Sequence, residues 1–340
     1  MDYKEILDTA RACIGTNCRA CPVCNGMACG NNVPGPGSKN PGNGAARNFN
    51  AWQDVFVNMD TICSNDAPNT EFRLFGHDFA LPLFAAPIGA LPMHYSDKYN
   101  DFSYNDVMIP ACQAAGIAAF TGDGVDPQVM IRASAAMEKV GGVGIPTIKP
   151  WNKEAVFAKL DILNAAGIFA AAMDIDGAGL PFLKAMNPTA GSKTVAELRE
   201  IISYAKMPFI IKGVMTAAGA EKAVEAGAAA IVVSNHGGRV LGQTPATADV
   251  LPEIAAAVRG KCVVLVDGGI RSGTDIFKAI ALGADAVLIG RPFVPVVYGA
   301  GAEGTSFLIN KYAAELRDTM TMCGAHTLAE ITREKVRCGR

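Results

Sequence analysis

The sequence predicts an α/β chain folded as a (β/α)8 barrel, a TIM barrel, with a cysteine-rich N-terminal extension. Three observations predict it. Short apolar runs alternate with Ala-, Glu- and Lys-rich helical stretches. The runs are apolar almost without interruption, as parallel strands buried on both faces require. Eight such strand–helix units fall within roughly 210 residues, which suits a closed barrel better than an open sheet.

The elements follow in order. MDYKEILDTARAC reads as a charged, amphipathic first helix without the hydrophobic centre of a signal peptide. Cysteines then crowd the segment to residue 29. Residues 30–46, GNNVPGPGSKNPGNGAA, are too rich in Gly, Pro and Asn for regular structure and predict a long loop, a candidate lid. Residues 1–46 are thus expected to form the extension and 47–340 the barrel with its C-terminal helices. LFGHDFALP predicts a hairpin before the barrel, with no site role for His77. The eight strands are expected at 83–87, 117–121, 142–148, 168–175, 208–213, 229–235, 262–268 and 284–290, with helices such as VAELREIISYAK and GAEKAVEAG between them. A helical tail is expected over 302–338.

Composition excludes several functions. The 340 residues are 50% apolar with a net charge of −2, so no basic field exists to hold nucleic acid or an anionic membrane. Aromatic residues, at 7%, are too few and dispersed for a base-stacking surface. No apolar run reaches the ~20 residues of a membrane helix. The expectation is a soluble, cytoplasmic protein acting on a small molecule.

Polar residues collect at the C-terminal ends of the last four strands, the rim that carries the active site in such barrels. The stretch VDGGIRSGTDIFKAIALGADAVLIGRP contains two glycine turns. Asp267-Gly268-Gly269 ends the seventh strand and lets backbone N–H groups approach an anion. Ser272 or Thr274 can cap the next helix, whose N-terminus favours negative charge. Gly290-Arg291 ends the eighth strand, and Arg271 and Arg291 supply charge-assisted bonds. This pattern predicts a phosphate grip; a plain tight turn with surface arginines is the alternative.

SNHGGR (234–239) follows the sixth strand. His236 can take a proton near neutral pH, and Arg239 can hold a carboxylate in a fork. Two glycines between them leave the backbone free to turn both into one pocket. Lys212 ends the fifth strand, where a cation can stabilise negative charge on the pyrimidine side of a reduced flavin; an ion pair within the barrel is the other reading. Asp176 can orient His236 and stabilise its protonated form, or cap a loop. His94 could face the pocket but reads rather as a loop histidine, and Trp52 and Trp151 as packing residues.

The stretches 208–239 and 266–292 resemble the FMN-dependent 2-hydroxy-acid dehydrogenase/oxidase family, which includes glycolate and lactate oxidases. The order Lys212, SNHGGR, PAT (245–247), DGGIRSGTD and GRP carries the resemblance, closely after residue 205 and weakly from about 47. It implies bound FMN, a His236 base with Asp176 as its partner, Ala86-Pro87-Ile88-Gly89 against the flavin ring, and Thr121-Gly122 beside it. It places Ser234 among the flavin contacts and, for the family, tends toward a homo-oligomer. It leaves the electron acceptor unknown. The sequence departs from the family where substrate is held. Pro146-Thr147-Ile148 replaces Gln-x-Tyr, GAGLPFL lacks a second arginine, and the N-terminal tyrosine has no counterpart. Lys149 or Asp123 are candidate substitutes. A flavin- and metal-binding redox sensor and a flavin-assisted isomerase are the alternatives to a hydroxy-acid oxidoreductase.

Cys18-x2-Cys21-x2-Cys24-x4-Cys29 stands apart from this family pattern. The spacing suits a 4Fe-4S iron–sulfur cluster, a structural zinc ion, or free redox thiols. Cys13 is an extra, and the other five cysteines read as ordinary thiols.

Overall fold

The computed structural model describes residues 1–180 and 183–339. Eight parallel strands close a barrel in chain order: Leu83–Ala85, Ala118–Thr121, Ile145–Ile148, Ala171–Asp174, Phe209–Val214, Ala230–Val233, Val263–Val266 and Ala286–Ile289. The eighth strand pairs with the first, Val287 opposite Leu83 and Ile289 opposite Ala85. A helix follows each strand, from Asp101–Ala114 to Phe293–Met322. Most of these helices start as their sequences dictate. Asn100, Asp126, Asn152, Thr194, Thr216 and Ser272 each accept a backbone N–H of the first turn.

Side chains on a strand alternate in direction, so each strand feeds two cores. Phe84, Phe120, Ile145, Ala172, Ile210 and Leu265 fill the barrel interior. Their neighbours, among them Leu83, Ala119, Met173, Ile211, Val233 and Val266, pack under the surrounding helices. The hairpin Phe72–Leu74/His77–Phe79 closes the N-terminal end of the barrel. Phe79 lies 5.1 Å and Phe72 6.2 Å from the ring of Phe84, and Phe120 lies 6.0 Å from it on the next strand. His77 belongs to this aromatic plug, against Phe79 and Phe169.

The same alternation continues to the open end, and there its inward positions turn polar. Ile145 is followed inward by Thr147, Ala172 by Asp174, Ile210 by Lys212, Val232 by Ser234 and Leu265 by Asp267. All five of the polar residues are buried. A one-residue slip would point these groups into the helix layer, so the apolar pattern fixes where they face.

The N-terminal helix Tyr3–Arg11 buries Ile6, Leu7 and Ala10. Gly299 lets it come close to the last long helix, since a Cβ there would lie 2.1 Å from Ile6 O. A second helix, Gly44–Gln53, approaches the barrel rim. Three expectations change. Residues 44–46 open that helix instead of ending a loop, because Asn43 caps it; residues 46 and 47 therefore share one element. Beyond Met322 the tail is no continuous helix: Gly324 at φ +61° ends the long one, two short 3-10 turns follow at Leu328–Glu330 and Arg333–Lys335, and Val336–Cys338 pairs with Val55–Val57. The strands are shorter than their apolar runs, because the last residues of each run leave the ladder to form the rim. No helix among the described residues is long and apolar enough to cross a membrane.

Phe84→Ala should destabilise the protein by about 3–5 kcal/mol, since it opens a cavity where three aromatic rings meet. Urea unfolding measures this; a loss below about 1 kcal/mol would show that the plug does not support the barrel.

Candidate active site

At the C-terminal rim the strand ends surround a cavity of about 360 Å³, in the range of small-molecule sites. One wall is apolar and flat: Ala86, Pro87, Ile88 and Gly89 after the first strand, with Gly122 after the second. A Cβ on Gly122 would sit 2.7 Å from Ile88 O, so only glycine lets these two loops lie together. Thr121 itself points away from the cavity wall, while Thr147 faces in.

The opposite wall is charged. The Lys212 ammonium is 3.0 Å from Ser234 Oγ and 3.3 Å from Asp267 Oδ2. Burial pulls its pKa down, but Asp267, Asp176 and Asp174 together outweigh burial and raise it, so the ammonium is charged. Lys149 pairs with Asp174. Lys212 thus lines the cavity and is also ion-paired within the barrel.

His236 stands at φ +56° at the head of a left-handed run continued by Gly237 and Gly238. Ser234 Oγ accepts its backbone N–H at 3.1 Å. Asn235 pins the turn by exchanging two side-chain hydrogen bonds with Asn48, at 2.7 and 3.0 Å, and by accepting Gly238 N–H. A non-glycine residue in this conformation costs on the order of 1–3 kcal/mol, which these buried bonds offset.

The ring Nδ1 lies 3.0 Å from Asp176 Oδ1 and 3.9 Å from Asp174 Oδ2. Asp176 is two residues past the end of the fourth strand, in a 3-10 turn. Gly213, at φ +100° in the bulge of the fifth strand, leaves room for it: a Cβ there would fall 2.5 Å from the Asp176 carboxyl carbon. Burial, then Lys212 and Lys149, push the His236 pKa well below its ordinary value; Asp174 opposes them. Burial likewise raises Asp176, against the pull of Lys212 and Lys149. The ring is thus neutral, with its Nδ1 proton directed to carboxylate and Nε2 left as a base.

Arg239 also lines the cavity. Its Nη1 donates to the carbonyls of Gly35 and Gly37, at 2.6 and 3.1 Å, and its Nη2 is 3.2 Å from His94 Nε2. Burial and the nearby Arg291 lower its pKa to about 10, so it stays cationic. His94 corrects the sequence reading. It is buried in the cavity wall and accepts Gly35 N–H at 3.0 Å, and burial with Arg239 and Lys149 lowers its pKa to about 3. Its signal was its place on the first strand–helix loop, which always borders the rim. Asp123 is not a free carboxylate: Lys159, Trp151 Nε1 and Lys149 N–H engage it. In GAGLPFL, Pro181 and Phe182 lie outside the described residues.

At the other end, Gly268, Gly269, Gly290, Arg271 and Arg291 border the cavity. Ser272 caps the following helix, and Thr274 bonds Thr319 instead. The two glycines also serve packing: a Cβ on Gly269 would meet Asn48 O at 2.3 Å. Both arginines hold the N-terminal segment, Arg271 through Cys24 O at 2.6 Å and Arg291 through Pro36 O at 2.7 Å. Thr147 Oγ1, Asp174 Oδ1 and Asp267 Oδ1 are buried in this wall without a protein partner, as in a site built to receive a polar ligand. A flat apolar wall, a buried ammonium opposite and a glycine–arginine end together fit a flavin mononucleotide.

The family model for FMN-dependent dehydrogenases matches residues 36–181 and 182–338. L-lactate oxidase of Lactobacillus jensenii is 40% identical, over 85% of this chain and 76% of that protein. Peroxisomal (S)-2-hydroxyacid oxidase GLO3 of Arabidopsis thaliana is 49% identical over 40% of this chain, a match that spans 37% of the plant protein. A crystal structure of mandelate oxidase with (S)-4-hydroxymandelic acid superposes with a TM-score of 0.78 at 26% identity, covering 99% of this chain and 98% of that one.

A depressed pKa keeps an imidazole neutral down to the depressed value. Lowering the pH from 8 to 6.5 should therefore leave His236 unprotonated, with the proton on Nδ1. Nitrogen-15 ring shifts measure this, and a ring half protonated at pH 6.5 or above would contradict the assignment.

Proposed function

Because the chain belongs to the FMN-dependent dehydrogenase family, we propose that it oxidises a 2-hydroxy acid to the corresponding 2-oxo acid, with FMN across the barrel mouth. The observation that carries this reading is His236, its Nδ1 3.0 Å from Asp176 Oδ1, lining the cavity with Lys212 and Arg239.

Ala86, Pro87, Ile88, Gly89 and Gly122 would lie against the ring system, with Lys212 and Ser234 at its polar edge. Asp267, Gly268, Gly269, Arg271, Gly290 and Arg291 would hold the phosphate end. Bound FMN supplies the acceptor of two electrons. His236 Nε2 removes one proton from the substrate's hydroxylated carbon or its hydroxyl. Asp176 accepts the Nδ1 hydrogen bond and stabilises the imidazolium that results. Arg239 pairs with the substrate carboxylate. Lys212 stabilises negative charge gathered on the cofactor side. Oxygen-lined Thr147 and neutral His94 give this substrate end a different chemistry from a tyrosine and a second arginine, and support an unusual hydroxy acid. The same reading carries a cytoplasmic homo-oligomer and leaves the electron acceptor unassigned.

Anaerobic mixing of the flavin-loaded protein with a panel of 2-hydroxy acids should bleach the flavin. Conversion without net electron flow would favour an isomerase, and no response a redox sensor. His236→Ala should keep its yellow flavin and lose the bleaching rate by about 10²–10⁴-fold or more; a wild-type rate would remove His236 from the mechanism. Arg239→Lys should raise KM more than it lowers kcat, because the fork is lost while the charge remains.

A further inference from the structure

The four clustered cysteines play no part in the chemistry above, yet they are not scattered over the surface. Cys18, Cys21, Cys24 and Cys29 line one small recess, together with Pro36, Tyr95, Arg291 and Pro295. The chain here has no helix or strand from residue 12 to 43. Bonds to its carbonyls hold it, among them Arg11 to Arg19 and Ala20, Asn43 to Gly26, Arg271 to Cys24, Arg239 to Gly35 and Arg291 to Pro36. Over more than 30 residues it has neither regular structure nor a disulfide, all ten thiols being free.

We propose that Cys18, Cys21, Cys24 and Cys29 ligate a 4Fe-4S cluster in the wall that this recess shares with the flavin cavity. The sulfurs stand wider apart than a single ion would set them, which favours a cluster. Tetrahedral zinc–thiolate bonds of about 2.3 Å bring sulfurs about 3.8 Å apart. Among the described residues, the group whose ligand atoms all lie within 4.8 Å of one another is Asp174, Asp176 and His236; no three of these sulfurs meet that limit. In a cluster each thiolate binds its own iron, so the sulfurs stand farther apart than around one ion.

The charges agree. Ligated as thiolates, the four cysteines would place negative charge where Arg11 acts on Cys21, and Arg291 and Arg239 act on Cys29.

Pro36, Tyr95 and Arg291 line both the recess and the active-site cavity. The cluster would thus be one side chain away from the flavin site. Only this last placement rests on the flavin reading; ligation itself does not.

The test is anaerobic purification of the full chain, followed by metal, sulfide and flavin analysis. About four iron and four acid-labile sulfide per chain are expected, with a broad absorbance near 400 nm that persists under the flavin bands and an electron paramagnetic resonance signal on dithionite reduction. Cys21→Ser and Cys24→Ser should lose most of the iron while FMN content stays at one per chain, which shows that the barrel is folded. Cys13→Ser, whose sulfur instead meets backbone carbonyls and Lys98, should keep its iron. One zinc per chain, or metal-free protein whose four thiols react with a thiol reagent before unfolding, would overturn the proposal. Either result leaves flavin bleaching by hydroxy acids untouched, so the two readings fail separately.

Discussion

Everything at the rim depends on the barrel interior having to be filled. An eight-stranded barrel encloses just enough room for side chains, so its inward positions must be apolar wherever no ligand enters. Phe84, Phe120 and the hairpin plug meet that demand at one end. Five of the strands then carry the alternation upward to a polar residue, Thr147, Asp174, Lys212, Ser234 or Asp267. The polar ring is therefore a consequence of the core beneath it: the strands that cannot slip without exposing their apolar faces also cannot misplace these groups. The bulge at Gly213 is the one irregularity in the fifth and sixth strand pairing, and it makes room for Asp176.

The ring is charged but close to balanced. Lys149 faces Asp174, Lys212 faces Asp267, and Asp176 faces His236. Burying an ion alone would cost several kcal/mol, so the Lys149 and Lys212 ammoniums are tolerable only beside their carboxylates. His236 is the group with a choice. With two ammoniums near and little water, it gives up its proton, and the adjacent carboxylates hold the resulting neutral ring in one tautomer. The same carboxylates stabilise a proton when one arrives. A base that is empty at rest and supported when loaded is what proton abstraction from a weak acid requires.

How much of this could be read from the sequence follows from whether a group's place is set locally. Lys212, Ser234, His236 and Asp267 were legible because each sits at a fixed offset from an apolar strand. Asp176 was legible, but its companion Asp174 was passed over, since a strand's last residue looks like packing until its direction is known. His94 was misplaced because its role is decided by Gly35 and Arg239, distant by 59 and 145 residues. Asn48 and the glycine pair 268–269 show a further limit. Those glycines read as an anion-binding turn, yet the contact that forbids a side chain at Gly269 comes from a helix more than 200 residues earlier. Local pattern found the rim; it could not find what leans on it.

That leaning segment changes how the cavity works. Arg239 and Arg291 bind the carbonyls of residues 35–37, and Arg271 binds Cys24 O. These are the cations nearest both ends of the cavity, and they hold the N-terminal segment with donors that ligands would also use. A guanidinium has five N–H donors, so it can hold a carbonyl on one side and an anion on the other. The segment is thus tied to the cavity through side chains that a cofactor phosphate or a substrate carboxylate would further orient. Order in the Gly- and Pro-rich loop and occupancy of the cavity should reinforce each other, because each fixes the same three arginines and spares the other that entropy.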